Sequence, residues 1–135
     1  MLQVLHNENG GNLSKIAQTL TKSAQTSAFL AYDTVQVLLV KQENNSFQKD
    51  RYQSCLGNYV RAIDDLAEWK KFLNSGNYQN LPSEAEATSK EVESCDQIFE
   101  QLPSEPPQLK QVNQFFEDTC SILVVVSNRL TGRII

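Results

Sequence analysis

The sequence predicts an all-α protein folded as an antiparallel, up-down-up-down four-helix bundle, and three observations carry that reading. Apolar residues recur in alternating steps of four and three through four long segments. Clusters of Gly, Pro, Asn and Ser separate those segments at short intervals. No stretch alternates apolar and polar residues with the two-residue period of a strand. With 135 residues, 40% of them hydrophobic and 21% charged, the chain can enclose one core and is too apolar to stay disordered. A single domain spanning residues 1–135 is expected.

The first stripe runs Leu13, Ala17, Leu20, Ala24, Ser27, Ala31, Thr34 and Leu38, with Ile16, Phe29 and Val35 widening the apolar face. Asn12 is the expected N-cap, Gly10-Gly11 a flexible entry, and Glu43-Asn44-Asn45-Ser46 the closing turn. The second stripe is Cys55, Tyr59, Ala62, Leu66, Trp69 and Leu73, stopped by Asn74-Ser75-Gly76-Asn77, where Gly76 suits a left-handed cap. Leu81, Ala85, Thr88, Val92, Cys95, Phe99 and Leu102 form the third, with Pro82 at an early helical position and Pro103 closing the segment. The fourth is Leu109, Val112, Phe116, Thr119, Leu123, Val126 and Leu130. Short connections between long helices make neighbours antiparallel, and the heptad spacing predicts shallow crossing angles. Each buried Leu contributes roughly 2 kcal/mol, so four stripes can offset the ordering entropy with no metal or cofactor.

Composition and charge exclude several functions. The formal charge of −4 arises from 16 acidic and 12 basic residues, with no basic cluster to follow a phosphate backbone, so nucleic acid is not an expected partner. The apolar run Ile122 to Val126 is far short of the roughly 20 residues that span a bilayer. Met1 to His6 has no basic region or cleavage site and does not read as a signal peptide. Asn12-Leu13-Ser14 and Asn44-Asn45-Ser46 are sequons, available for glycosylation only if the chain is secreted. Cys55, Cys95 and Cys120 allow one bridge and one spare thiol, in any of three pairings or none. Cys55 and Cys95 lie near the start of the second helix and the end of the third, levels that coincide in an antiparallel pair. Cys120 sits one place past the stripe residue Thr119 and reads as a free, partly buried thiol.

Catalytic chemistry needs groups that converge, and none are expected here. His6, the one histidine, stands in the leading segment with no partner. Asp64, Asp65 and Glu68 form an acidic patch on the second helix, but adjacent helical residues diverge. Glu84, Glu86, Glu91 and Glu93 lack the Glu-x-x-His element of carboxylate metal bundles and read as one solvated face. Gly57, inside a helix, costs about 1 kcal/mol against alanine and reads equally as a close backbone approach or as simple drift. Trp69 is read as core and not as an interface anchor.

Cys55-Leu56-x-x-Tyr59-x-x-Ala62-Ile63-Asp64-Asp65-Leu66, Gly76-Asn77-Tyr78 and Cys95-Asp96-x-x-Phe99 together resemble the plant invertase and pectin methylesterase inhibitor family over nearly the whole chain. The resemblance implies a non-catalytic protein that binds and blocks a cell-wall carbohydrate enzyme. It makes Cys55 and Cys95 the family's second disulfide and Cys120 its occasional unpaired cysteine. Members begin with a signal peptide and a disulfide-closed helical hairpin, so residues 1–11 look like a remnant of that hairpin, and secretion to the apoplast is implied by the family alone. A bundle without its hairpin is expected to be a monomer or weak dimer. Invertase inhibitors of the family carry a Pro-Lys-Phe element at the turn after the second helix, where this chain has Asn77-Tyr78-Gln79-Asn80. That difference favours pectin methylesterase over acid invertase as target; a non-inhibitory interaction or defence and allergen-like protein is the alternative of another class. The candidate contact residues are Arg61, Asp64, Asp65, Glu68, Tyr78 and Glu91.

Overall fold

The computed structural model describes residues 9–42 and 44–132, with side chains from Asn12 onward. His6 and most of the supposed hairpin remnant lie outside the described residues. Helices α1 (Asn9–Val40), α2 (Ser46–Asn74), α3 (Leu81–Ile98) and α4 (Pro107–Leu130) follow in order, with a 3-10 turn at Tyr78–Asn80. No strand occurs among the described residues.

Helix α1 begins at Asn9, so Gly10, Gly11 and Asn12 lie within the helix, and the expected cap at Asn12 is corrected. Once a long apolar stripe has nucleated a helix, each added residue gains a backbone hydrogen bond and propagation can run through glycine. Ala17, Ala24, Ala28, Ala31 and Val35 are fully buried, whereas Phe29, expected to widen the apolar face, is 53% exposed. Two buried polar residues, Thr21 outside the stripe and Ser27 within it, are reconciled with burial by local bonds: Thr21 donates to the Ala17 carbonyl at 2.8 Å and Ser27 to that of Ser23 at 2.9 Å.

The caps follow the turn chemistry. The Asn45 side chain accepts from the Gln48 amide at 3.1 Å and starts α2. Gly76, at φ 75°, stops it: the Asn77 amide returns to the Phe72 carbonyl at 2.8 Å and the Gly76 amide to that of Leu73 at 3.2 Å. Pro82 and Pro107 occupy the first turns of α3 and α4, where a missing N–H costs nothing. Helix α3 ends at Ile98, before the expected closure at Pro103. Phe99 stays buried beyond that end, but Leu102 is 83% exposed and is not part of the core stripe. Pro103 disfavours helical backbone at Leu102, and Arg51 of α2 holds the segment that follows the helix. Its Nη2 donates to the carbonyls of Ile98, Gln101 and Pro103 at 3.3, 3.2 and 2.8 Å, satisfying acceptors that the ended helix leaves free.

Each helix packs against its neighbours in chain order, and α4 closes back on α1. Glu91 meets Arg61 while Cys95 meets Cys55, so α2 and α3 run antiparallel. Tyr59 contacts Asn113 and Trp69 contacts Ser127, so α2 and α4 run the same way across the bundle. All six residues of the second stripe are buried. Trp69, Tyr52, Tyr59 and Phe116 are the largest fully buried side chains of a core whose share from α1 is mainly small residues, Ala17, Ala24, Ala28 and Ala31. Trp69 is fully buried, and its Nε1 donates to Ser127 Oγ at 2.8 Å.

Candidate functional site

The seam between α2 and α3 gathers most of the candidate residues. Arg61 Nε donates to both Glu91 oxygens, at 3.1 and 3.2 Å, and Asn58 Nδ2 donates to Glu91 Oε1 at 2.9 Å. Glu91 is thus anchored from two places on α2, and it holds Arg61 although that side chain is 59% exposed. One turn along, the half-buried Asp65 is pushed up to about 6 by burial, then by the charges of Glu84, Glu91 and Asp64, with Arg61 opposing. Glu84 is raised by burial and by Glu68.

The structure therefore brings Arg61, Asp65 and Glu91 together. Asp64 and Glu68 remain exposed, Glu68 lying 3.6 Å from Lys71. Tyr78 is half-buried in the 3-10 turn and packs against the core, with less of its ring free for a partner. The glutamates of α3 are not one solvated face: Glu84 and Glu91 are half-buried on the α2 side, while Glu86 and Glu93 are exposed. Asn44 is exposed in the α1–α2 turn, whereas Asn12 is half-buried within α1, so Asn44 is the more accessible sequon.

Gly57 floors an open groove of about 660 Å³ on this seam. Of the two readings of Gly57, close backbone approach is not found. A Cβ built at Gly57 meets only the Arg61 guanidinium, at 3.4 Å from Nη1 and 3.7 Å from Nη2. A glycine inside a helix costs about 1 kcal/mol relative to alanine, and here no packing requirement offsets it.

Cys55 and Cys95 form a disulfide with their Cα atoms 4.8 Å apart, tying α2 to α3 beneath this face. Cys120 is free and, contrary to the expected partial burial, wholly buried; burial first, then Glu117 and Glu93, pushes its thiol up to about 12. Beside the disulfide lies a polar cluster that stripe analysis missed. The Tyr59 hydroxyl donates to Asn113 Oδ1, and Asn113 Nδ2 donates to Asp96 at 2.9 Å and Glu105 at 3.0 Å. Burial, then the hydrogen bond and charge of Asp96, push Glu105 up to about 7 and Glu117 to about 8. Asn113, directly after the stripe residue Val112, was the available signal. Arg51, buried against Phe99 with its guanidinium carbon 4.1 Å from the ring centroid, carried none.

Among the described residues no group of three or more His, Cys, Asp or Glu is arranged to hold a metal ion, and no helix is long and apolar enough to cross a membrane. A four-helix bundle tied by one disulfide, with an anchored polar face between α2 and α3, is the class these observations define. Comparison with known proteins is consistent with that class. The chain is 39% identical over 117 residues to the pectinesterase inhibitor of Actinidia deliciosa, spanning 87% of this chain and 59% of the relative. It is 31% identical over 122 residues to pectinesterase inhibitor 2 of Arabidopsis thaliana, spanning 90% of this chain and 69% of the relative. The crystal structure of an Arabidopsis pectin methylesterase inhibitor matches with a TM-score of 0.81 at 24% identity, over 87% of this chain and 78% of that one, which shows a shared fold. A mutant form of an Arabidopsis inhibitor has the same TM-score and identity over 94% and 85%. No family model matches the chain. By its 31% identity to the Arabidopsis relative over more than two thirds of that protein's length, the chain belongs to the pectinesterase inhibitor family.

Proposed function

We propose that this protein is a non-catalytic inhibitor that binds plant pectin methylesterase and blocks it in a stoichiometric complex. The observation that carries this reading is the 39% identity to a protein named for pectinesterase inhibition, over 87% of the chain. The chain folds as a single domain whose α2–α3 face makes the contact. Arg61, Glu91 and Asp65 form its centre, with Asp64 and Glu68 beside them and Tyr78 as a lesser contact. The acidic groups complement basic or polar groups of the target and set approach and orientation more than raw affinity. Acid invertase is the less favoured target because the turn at Tyr78–Asn80 lacks the Pro-Lys-Phe element of its inhibitors.

The Cys55–Cys95 bridge suits an oxidising compartment, so secretion to the cell wall accompanies this reading. Asn44 would be the glycosylated sequon there. The test is a titration of the oxidised protein into a plant pectin methylesterase, with an acid invertase in parallel. Saturable, near-stoichiometric loss of esterase activity, with invertase unaffected, is the expected result. Full esterase activity at large molar excess would overturn the reading.

A further inference from the structure

We propose that the groove over Gly57 is a docking notch in which the free fork of Arg61 grips a neutral acceptor, a main-chain carbonyl or carboxamide, on a loop of the target enzyme. The inference rests on the inhibitor reading and adds to it one site and one recognition chemistry.

Gly57 is the first argument. It lies within a continuous helix, at no left-handed backbone angle, and no neighbouring backbone comes within reach of the side chain it lacks. Glycine is therefore unnecessary to the fold, yet it weakens the helix. What its absent side chain provides is the floor of the groove, between Gln53, Ser54 and Asn58 on α2 and Ser94 and Ile98 on α3.

Arg61 is the second. Glu91 occupies Nε alone, and Asn58, only 6% exposed, fixes Glu91 in turn. Nη1 and Nη2 lie over Gly57 and make no hydrogen bond within the described protein. Their N–H groups form a planar fork already held in place, so little side-chain entropy remains to be lost on binding.

Charge selects the occupant. Glu91 already balances Arg61, Asp50 lines the groove, and Asp65 lies near enough to Arg61 for their charges to interact. A second carboxylate would meet repulsion, and a cation would meet the guanidinium. A neutral peptide or carboxamide oxygen satisfies the fork without either penalty.

The test compares inhibition of pectin methylesterase and thermal melting for wild type, Gly57→Ala, Gly57→Leu and Arg61→Lys. Both Gly57 substitutions should raise the melting temperature, because each improves helix propensity. Leu should displace the fork and weaken inhibition by at least about tenfold, Ala by a few fold; Arg61→Lys, which keeps the charge and loses the fork, should also cost about tenfold. Gly57→Leu that melts at or above wild type and inhibits within twofold overturns the proposal. If the Leu variant does not fold, Ala and Lys variants both inhibiting within twofold overturn it. Self-association lost in Gly57→Leu with inhibition intact would likewise overturn it, assigning the groove to a second copy. Failure of the inhibitor reading itself is distinguishable, since the wild type alone would then leave the esterase active.

Discussion

Opening the Cys55–Cys95 bridge should destabilise the bundle without abolishing it, and its cost follows from the topology. The bridge joins residues 40 apart, enclosing the greater part of α2 and most of α3. Loop-closure arithmetic for that length gives an entropy of about 13 cal/mol/K, or about 4 kcal/mol at 25 °C. Against a total stability of roughly 5–15 kcal/mol this is a large share, but four apolar stripes remain to hold the fold. The assay is urea unfolding followed by circular dichroism, for oxidised protein, for protein reduced with dithiothreitol, and for the Cys55→Ala/Cys95→Ala double variant. The transition should move down by about 2 M urea, and the melting temperature should fall by roughly 15 °C. The double variant should fall slightly further, because it also gives up buried sulfur. A reduced protein within about 1 kcal/mol of the oxidised form would refute the reasoning, by showing that the unfolded chain is already confined by other contacts.

Two further outcomes are expected. Glu105 and Glu117 rise from the usual 4.5 to about 7 and about 8, so the native state binds more protons than the unfolded one; their contribution is complete below pH 4.5 and is lost as pH rises through 7–8. With discount for their partial exposure this amounts to on the order of 1–2 kcal/mol, so the protein should melt higher at pH 5 than at pH 8.5 and Glu117→Gln should flatten the dependence; equal melting at both pH values would contradict it. The buried Cys120 thiol, pushed up to about 12, should resist a thiol reagent at pH 8 in the native protein and react stoichiometrically in urea, and rapid native labelling would refute that burial.

Periodicity made much of the molecule legible because burial on a helix repeats with the turn. The second and fourth stripes, the Gly76 cap, Pro82 and the core role of Trp69 all follow from local chemistry. So does the compatible placement of Cys55 and Cys95, since antiparallel neighbours bring those levels together. Local chemistry was less informative where a distant residue intervened. Leu102 continues the third stripe, yet it is exposed beyond the helix end, where Arg51, about 50 residues away, accounts for the backbone carbonyls. Gly57 shows the same limit at the candidate site: its position was visible, but only the fold places the Arg61 fork over it.

By itself, then, the amino-acid order determined a four-helix bundle with antiparallel neighbours, its core stripes, and the residue types available at the α2–α3 face. Tertiary structure decided which of those residues meet. It drew Arg61, Asn58 and Glu91 into one anchored unit, left Asp64 and Glu68 in solvent, and gathered the half-buried Asp96 and Glu105 at Asn113, with Glu117 beside Asp96. The reason is range: helical periodicity acts over three or four residues, whereas ion pairing and desolvation depend on which faces two helices turn toward each other.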